Sequence, residues 1–102
     1  MDKEILTSEA LSALLSAYPE WSVVDGKLHR AWRFVHYRAA FSFLREAAFV
    51  FEQQNHHGDA TLSYRHVRVV LTSHDVGGLT ARDVRSVEAL EKISTEDVVP
   101  NA

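Results

Sequence analysis

Apolar residues recur at three- and four-residue steps in three stretches of the chain and alternate with polar ones in four others. In the first periodic stretch Leu11, Leu14, Leu15 and Tyr18 share a face. Thr7 supplies a hydroxyl cap, Glu9 a carboxylate near the positive helix end, and Pro19 stops the helix. The period then changes to two. Trp21 and Val23 alternate before Asp25-Gly26, a dipeptide that tolerates the positive φ angles of a two-residue hairpin turn, and Leu28, Trp32 and Phe34 alternate after it.

From about Tyr37 to Asn55 the helical period returns, with Ala40, Phe41, Leu44, Ala47, Ala48 and Phe51 as the stripe. Phe43, Phe49 and Val50 lie off it, so more than one side of this helix is apolar. Such a helix is packed on two sides or used at a subunit interface, and the second reading is preferred. TLSY and VRVVLTS follow as two strands, with Leu62 and Tyr64, then Val67, Val69 and Leu71, directed inward. Gly77-Gly78 breaks the chain. Thr80 with Asp83 forms an acidic capping box, and Val84, Val87, Leu90 and Ile93 mark the buried face of a last helix.

The order is therefore α-β-β-α-β-β-α. Hairpin-joined neighbours make an α+β fold economical: a four-stranded antiparallel sheet with three helices packed on one face. The 102 residues hold material for one core, placed at 1–95, with 96–102 as a flexible C-terminal tail.

Composition narrows the function. A net charge of −3 and scattered Lys and Arg argue against a nucleic-acid or anionic-membrane binder. Without cysteine the chain has no disulfide, zinc-thiolate site or thiol nucleophile, which suits a reducing compartment. The opening MDKEILTSEALSALLSAY is too acidic and interrupted for a signal peptide, and no apolar run reaches membrane-span length. A cytoplasmic protein is expected.

The candidate chemistry lies in histidines. If Arg65-His66 is the turn of the second hairpin, Leu62 faces Val69, Ala60 faces Leu71, and the extended register sets His57 opposite His74, at about 4.5–5.5 Å between Cβ atoms. Arg-His is a poor turn dipeptide, so a longer turn or bulge would shift this register. His56 lies just past the long helix, where unpaired carbonyls favour a protonated ring, and Glu52 four residues earlier is in reach of it. Histidines so gathered suit proton transfer near neutral pH. Solvated capping histidines are the plain alternative. Zinc is the chemical one, since His56, His57, His74 and Asp75 are acceptable ligand types, but adjacent residues of an extended segment point apart, and no metal is expected.

Glu52, His56-His57, Tyr64 seven residues on, His74-Asp75, and Asp83 in GLTARD closely resemble the pterin-4a-carbinolamine dehydratase family. The likeness runs from Leu6-Thr7 through Trp21 and Trp32-Arg33-Phe34 to the last helix. It implies a hydro-lyase that dehydrates 4a-hydroxytetrahydropterin to quinonoid dihydropterin in tetrahydrobiopterin recycling, with no cofactor and a functional link to an aromatic amino-acid hydroxylase. It implies His56 and His74 as the general acid/base pair and His57 as the group that binds and orients the pterin. Gly58, Ser73, His74 and Asp75 would meet the ring's polar edge, with Glu52 and Asp83 supporting. It also implies a homodimer or homotetramer. The alternative on the same fold is a non-catalytic binding protein, either a transcriptional dimerisation cofactor or an assembly factor. Two residues depart from the family's usual Pro and Trp. Gly58 is expected to loosen the backbone beside His57, and Ala60 to remove a flat apolar wall from the pterin site.

Overall fold

The computed structural model describes residues 2–93 and 97–100. α1 (Ser8–Ala17) begins at Thr7, whose hydroxyl accepts from the Ala10 N–H at 3.0 Å, and buries Leu14. β1 (Ser22–Val24) and β2 (Lys27–Phe34) pair antiparallel around Asp25 and Gly26, which take φ values of 53° and 75°. Two left-handed residues in succession are what the tightest hairpin turn requires. α2 (Tyr37–Gln54), β3 (Asp59–Ser63), β4 (His66–Leu71) and α3 (Ala81–Glu91) follow. The sheet runs β1-β2-β4-β3, antiparallel throughout, with the helices on one face, as the patterning predicts.

One strand goes beyond the expected four. Val98–Val99 forms β5 beside Arg33 and Phe34 of β2, so this part of the expected flexible tail is paired; residues 96, 101 and 102 of that tail lie outside the described residues. Two valines satisfying the free edge of β2 are too short a run to signal a strand by periodicity.

Leu28, Trp32 and Phe34 of β2 and Val67, Val69 and Leu71 of β4 are buried beneath the helices. Trp32 packs on Trp21 edge-on at 5.8 Å and on Phe43 at 4.5 Å, so both tryptophans are core. Glu91 at the end of α3 accepts from the Trp21 indole N–H at 2.9 Å and from Arg30, which ties the first hairpin to the last helix. The buried stripe of α2 keeps Ala40, Ala47 and Phe51 of the expected one, but Ala39 and Phe43 are buried where the sequence suggested Phe41 and Ala48. Both stripes are apolar, so periodicity alone could not choose. Tyr37, Phe41 and Ala48 face outward instead, and Phe41 is 51% exposed.

The second hairpin turns at Tyr64 and Arg65, with Tyr64 left-handed at φ 51°. Its register is therefore two residues from the expected one: Leu62 faces Val67 and Ala60 faces Val69. A two-residue shift keeps every strand residue on its face, so the inward set Leu62, Val67, Val69 and Leu71 survives. Tyr64 does not; it sits exposed at the turn.

Candidate active site

The register fixes which side chains share the open face of the sheet. Because Leu28, Val69 and Leu71 point to the helices, Lys27 and His29 on β2, Val70 on β4 and Asp59 on β3 point away. Continuing each register past the strand ends places Lys27, Thr72 and His57 in one row across β2, β4 and β3. These residues, with Gly58, Asp59, Val70 and His74, line a single crevice. His57 and His74 thus line one crevice, but His57 stands opposite Thr72 and not opposite His74 as the expected register had it. The crevice holds about 10 Å3, room for one water, so a larger molecule would lie over it on the open face.

His56 does not line it. Asn55 ends α2 in the left-handed conformation, φ 49°, and its N–H and that of His56 both bond to the Phe51 carbonyl. The chain leaves this cap extended, so His56 and His57 project to opposite sides. His56, only 10% exposed, donates from Nε2 to Asp83 Oδ1 at 2.7 Å. Asp83 is fully buried. Its other oxygen accepts from the Thr80 N–H at 2.9 Å, completing the capping box, and from the Ser73 hydroxyl at 2.8 Å. A carboxylate in a core is tolerable only when its oxygens are bonded in this way. Asp83 therefore staples three segments: the end of α2, the loop after β4, and the start of α3.

Glu52 reaches His57, not His56, because the left-handed cap turns His57 back over the last turn of α2. Glu52 Oε2 lies 2.5 Å from His57 Nε2, and both side chains are exposed. An ionised carboxylate only accepts, so Nε2 carries the proton and a neutral His57 has its lone pair on Nδ1. The His74 ring makes no hydrogen bond among the described residues.

The remaining expected contacts are committed elsewhere. The Ser73 N–H donates to the Gly78 carbonyl at 2.9 Å, its own carbonyl accepts from Val76 and Gly77, and its side chain is buried against Asp83 and Thr80. Asp75 accepts from Arg82 at 2.7 Å, a bond that holds its carboxyl below the ordinary range. Gly58 is not a loose point. A Cβ there would stand 2.6 Å from Leu71 Cδ2, 3.0 Å from the Val70 carbonyl oxygen and 3.1 Å from Phe51 Cζ. Ala60 packs against the core on the helix side of β3, so it could not wall the open face. A side chain at either position would therefore point away from the crevice, although the backbone of Gly58 lines it.

A wider concavity of about 600 Å3 lies between the first half of α2 and the end of α3, over Phe34, Phe43 and Ile93. Its histidine, His36, is spent capping α2, accepting from the Ala39 N–H at 3.1 Å, so it offers no second acid/base pair. No group of three or more metal-ligating side chains converges among the described residues. No helix among them is long and apolar enough to cross a membrane.

The family model for pterin 4 alpha carbinolamine dehydratase matches residues 4–93. A Prochlorococcus marinus protein, provisionally named a pterin-4-alpha-carbinolamine dehydratase, is 39% identical over 90 residues, covering 88% of this chain and 94% of its own. A Rhizorhabdus wittichii protein with the same provisional name is 36% identical over 96 residues, covering 92% and 99%. Among solved structures, a Brucella melitensis protein described as a transcriptional coactivator/pterin dehydratase superposes with a TM-score of 0.83 at 28% identity, over 90% of this chain and 100% of that one. The chain belongs to the pterin 4 alpha carbinolamine dehydratase family.

Proposed function

We propose that this protein is a 4a-hydroxytetrahydropterin dehydratase whose proton transfers are made by His57 and His74. The observation that carries the reading is that both line one crevice, His57 from the segment before β3 and His74 from the loop after β4, in a chain of this family. Elimination needs a proton delivered to the 4a-hydroxyl and another removed from a ring nitrogen. As the C4a–O bond breaks, its electron pair leaves with water, and the N5 lone pair moves in to form the quinonoid ring. One proton enters and one leaves, so the net product is water. His74 delivers the first proton. His57, with Nε2 held by Glu52, accepts the second at Nδ1. This revises the division of labour implied by the family resemblance: His56 becomes a positioning residue that fixes the segment carrying His57.

The exposed apolar residues Tyr37, Phe41 and Ala48 on α2 support a homodimer or homotetramer. A tetrahydrobiopterin-recycling role beside an aromatic amino-acid hydroxylase, in the cytoplasm, accords with the chemistry. The binding-only alternative has less support, because both crevice histidines are retained. The test is dehydration of chemically generated 4a-hydroxytetrahydropterin. Wild type should accelerate it well beyond buffer, and His74→Ala should lose about 10²-fold or more. A wild-type rate equal to buffer would remove the enzymatic reading.

A further inference from the structure

We propose that Lys27 is a third arm of this site, positioning the substrate by donating to the carbonyl oxygen at C4 of the pterin. The inference rests on the functional reading above and goes beyond its histidines. Three observations support it. The Asp25-Gly26 turn makes Lys27 the first residue of β2, and the β2–β4 register sets it across from Thr72, whose other neighbour in the row is His57. Lys27 lines the same crevice as His57 and His74. It is half-buried, yet forms no ion pair among the described residues, although Asp59 lines the crevice too.

An ammonium only donates, so it requires an acceptor on its ligand. C4 is bonded directly to C4a, the carbon that carries the departing hydroxyl. A pterin with that hydroxyl against the histidines therefore presents the C4 carbonyl oxygen to an adjacent wall of the crevice, and Lys27 supplies a donor there. The electronic demand of the reaction defines what the lysine can do. One proton enters as another leaves, so the net charge of the ring changes little and the bond from Lys27 to the C4 oxygen gains no strength in the transition state. Lys27 therefore acts by binding substrate and transition state alike, which appears in KM and not in kcat.

The experiment compares Lys27→Met, which keeps the aliphatic stem, with Lys27→Arg, which keeps the charge. Initial rates with 4a-hydroxytetrahydropterin and calorimetric titration with 7,8-dihydrobiopterin, which has no 4a-hydroxyl to lose, are measured on each, with a thermal midpoint as folding control. Lys27→Met should raise KM and the dihydropterin Kd about tenfold or more, the worth of a charge-assisted hydrogen bond, with kcat nearly unchanged. Lys27→Arg should recover most of that loss. Unchanged KM and Kd in Lys27→Met, or a loss in kcat alone, would overturn the proposal. An inactive wild type that also fails to bind the dihydropterin would instead count against the dehydratase reading itself.

Discussion

His56 and His57 are neighbours, and each pairs through Nε2 with a carboxylate, yet the two pairs sit in opposite environments. The His56–Asp83 pair is sealed, with side-chain exposures of 10% and 0%. The His57–Glu52 pair is open, at 57% and 74%. Buried ion pairs are costly to break by removing one partner, since the other is left charged and unsolvated, whereas exposed pairs are worth little to stability. The same two residue types thus do different work. The inner pair joins α2 to α3 and fixes the backbone, while the outer pair leaves one imidazole nitrogen free beside His74 and solvent. The left-handed Asn55 creates the difference by releasing the chain into an extended segment.

The sharpest way to break this contrast is at Asp83. Asp83→Ala removes the His56 acceptor, the Ser73 acceptor and half the capping box together. It should destabilise the fold by about 3–5 kcal/mol, read by urea denaturation. Glu52 offers no comparable loss, because water replaces it at the exposed His57. An Asp83→Ala variant of wild-type stability would mean that the buried cluster does not hold the helices together.

Gly58 comes next, on the inner side of the same segment. Gly58→Ala must push against Leu71, the Val70 carbonyl and Phe51, at a cost of about 1–3 kcal/mol in the same measurement. A stabilised Gly58→Ala would show that the strand has slack there and that the residue was free to vary.

The smallest effect belongs to the outer rim. The hydrogen bond from Arg82 keeps the Asp75 carboxyl below its ordinary value of 3.8. A carboxylate depressed in the folded state contributes stability above its unfolded pKa and loses it as pH falls through the folded one. Asp75→Asn should therefore be slightly less stable than wild type at neutral pH. The gap should close on acidification below about pH 3.8, and a gap that stayed constant across that range would rule out the Arg82 pair as its cause.

Much of the fold was legible because strand alternation and helical period are carried by strong residues: Leu28, Trp32 and Phe34 in one strand, Val67, Val69 and Leu71 in another, and Thr80 with Asp83 at a helix start. What the sequence hid had local causes. Tyr64, a bulky aromatic, occupies the left-handed turn position, which turn preferences would not nominate, and so the hairpin register moved by two. Phe41 and Phe43 belong to two equally apolar stripes of α2, and only the tertiary packing shows which is buried. In the site, the strand pattern brought His57 and His74 to the same end of one hairpin, but neither their register nor the partners of the His pair could be read from it. Helical spacing put Glu52 under His56 until the left-handed Asn55 redirected the chain. Lys27 carries no motif of its own; its position two residues after Asp25 was the available signal, and it becomes meaningful only once β2 is paired with β4.

The measurement that bears most directly on the separation of roles is a side-by-side comparison of His56→Ala and His57→Ala, each read for dehydration rate and for denaturation midpoint. His57→Ala should lose about 10²–10⁴-fold in rate while its midpoint stays at the wild-type value. His56→Ala should lose its midpoint by the larger margin and retain more of the rate than His57→Ala does. The reverse pattern, with His57→Ala fully active and His56→Ala inactive at unchanged stability, would place the chemistry on the buried side and contradict the assignment of the open crevice.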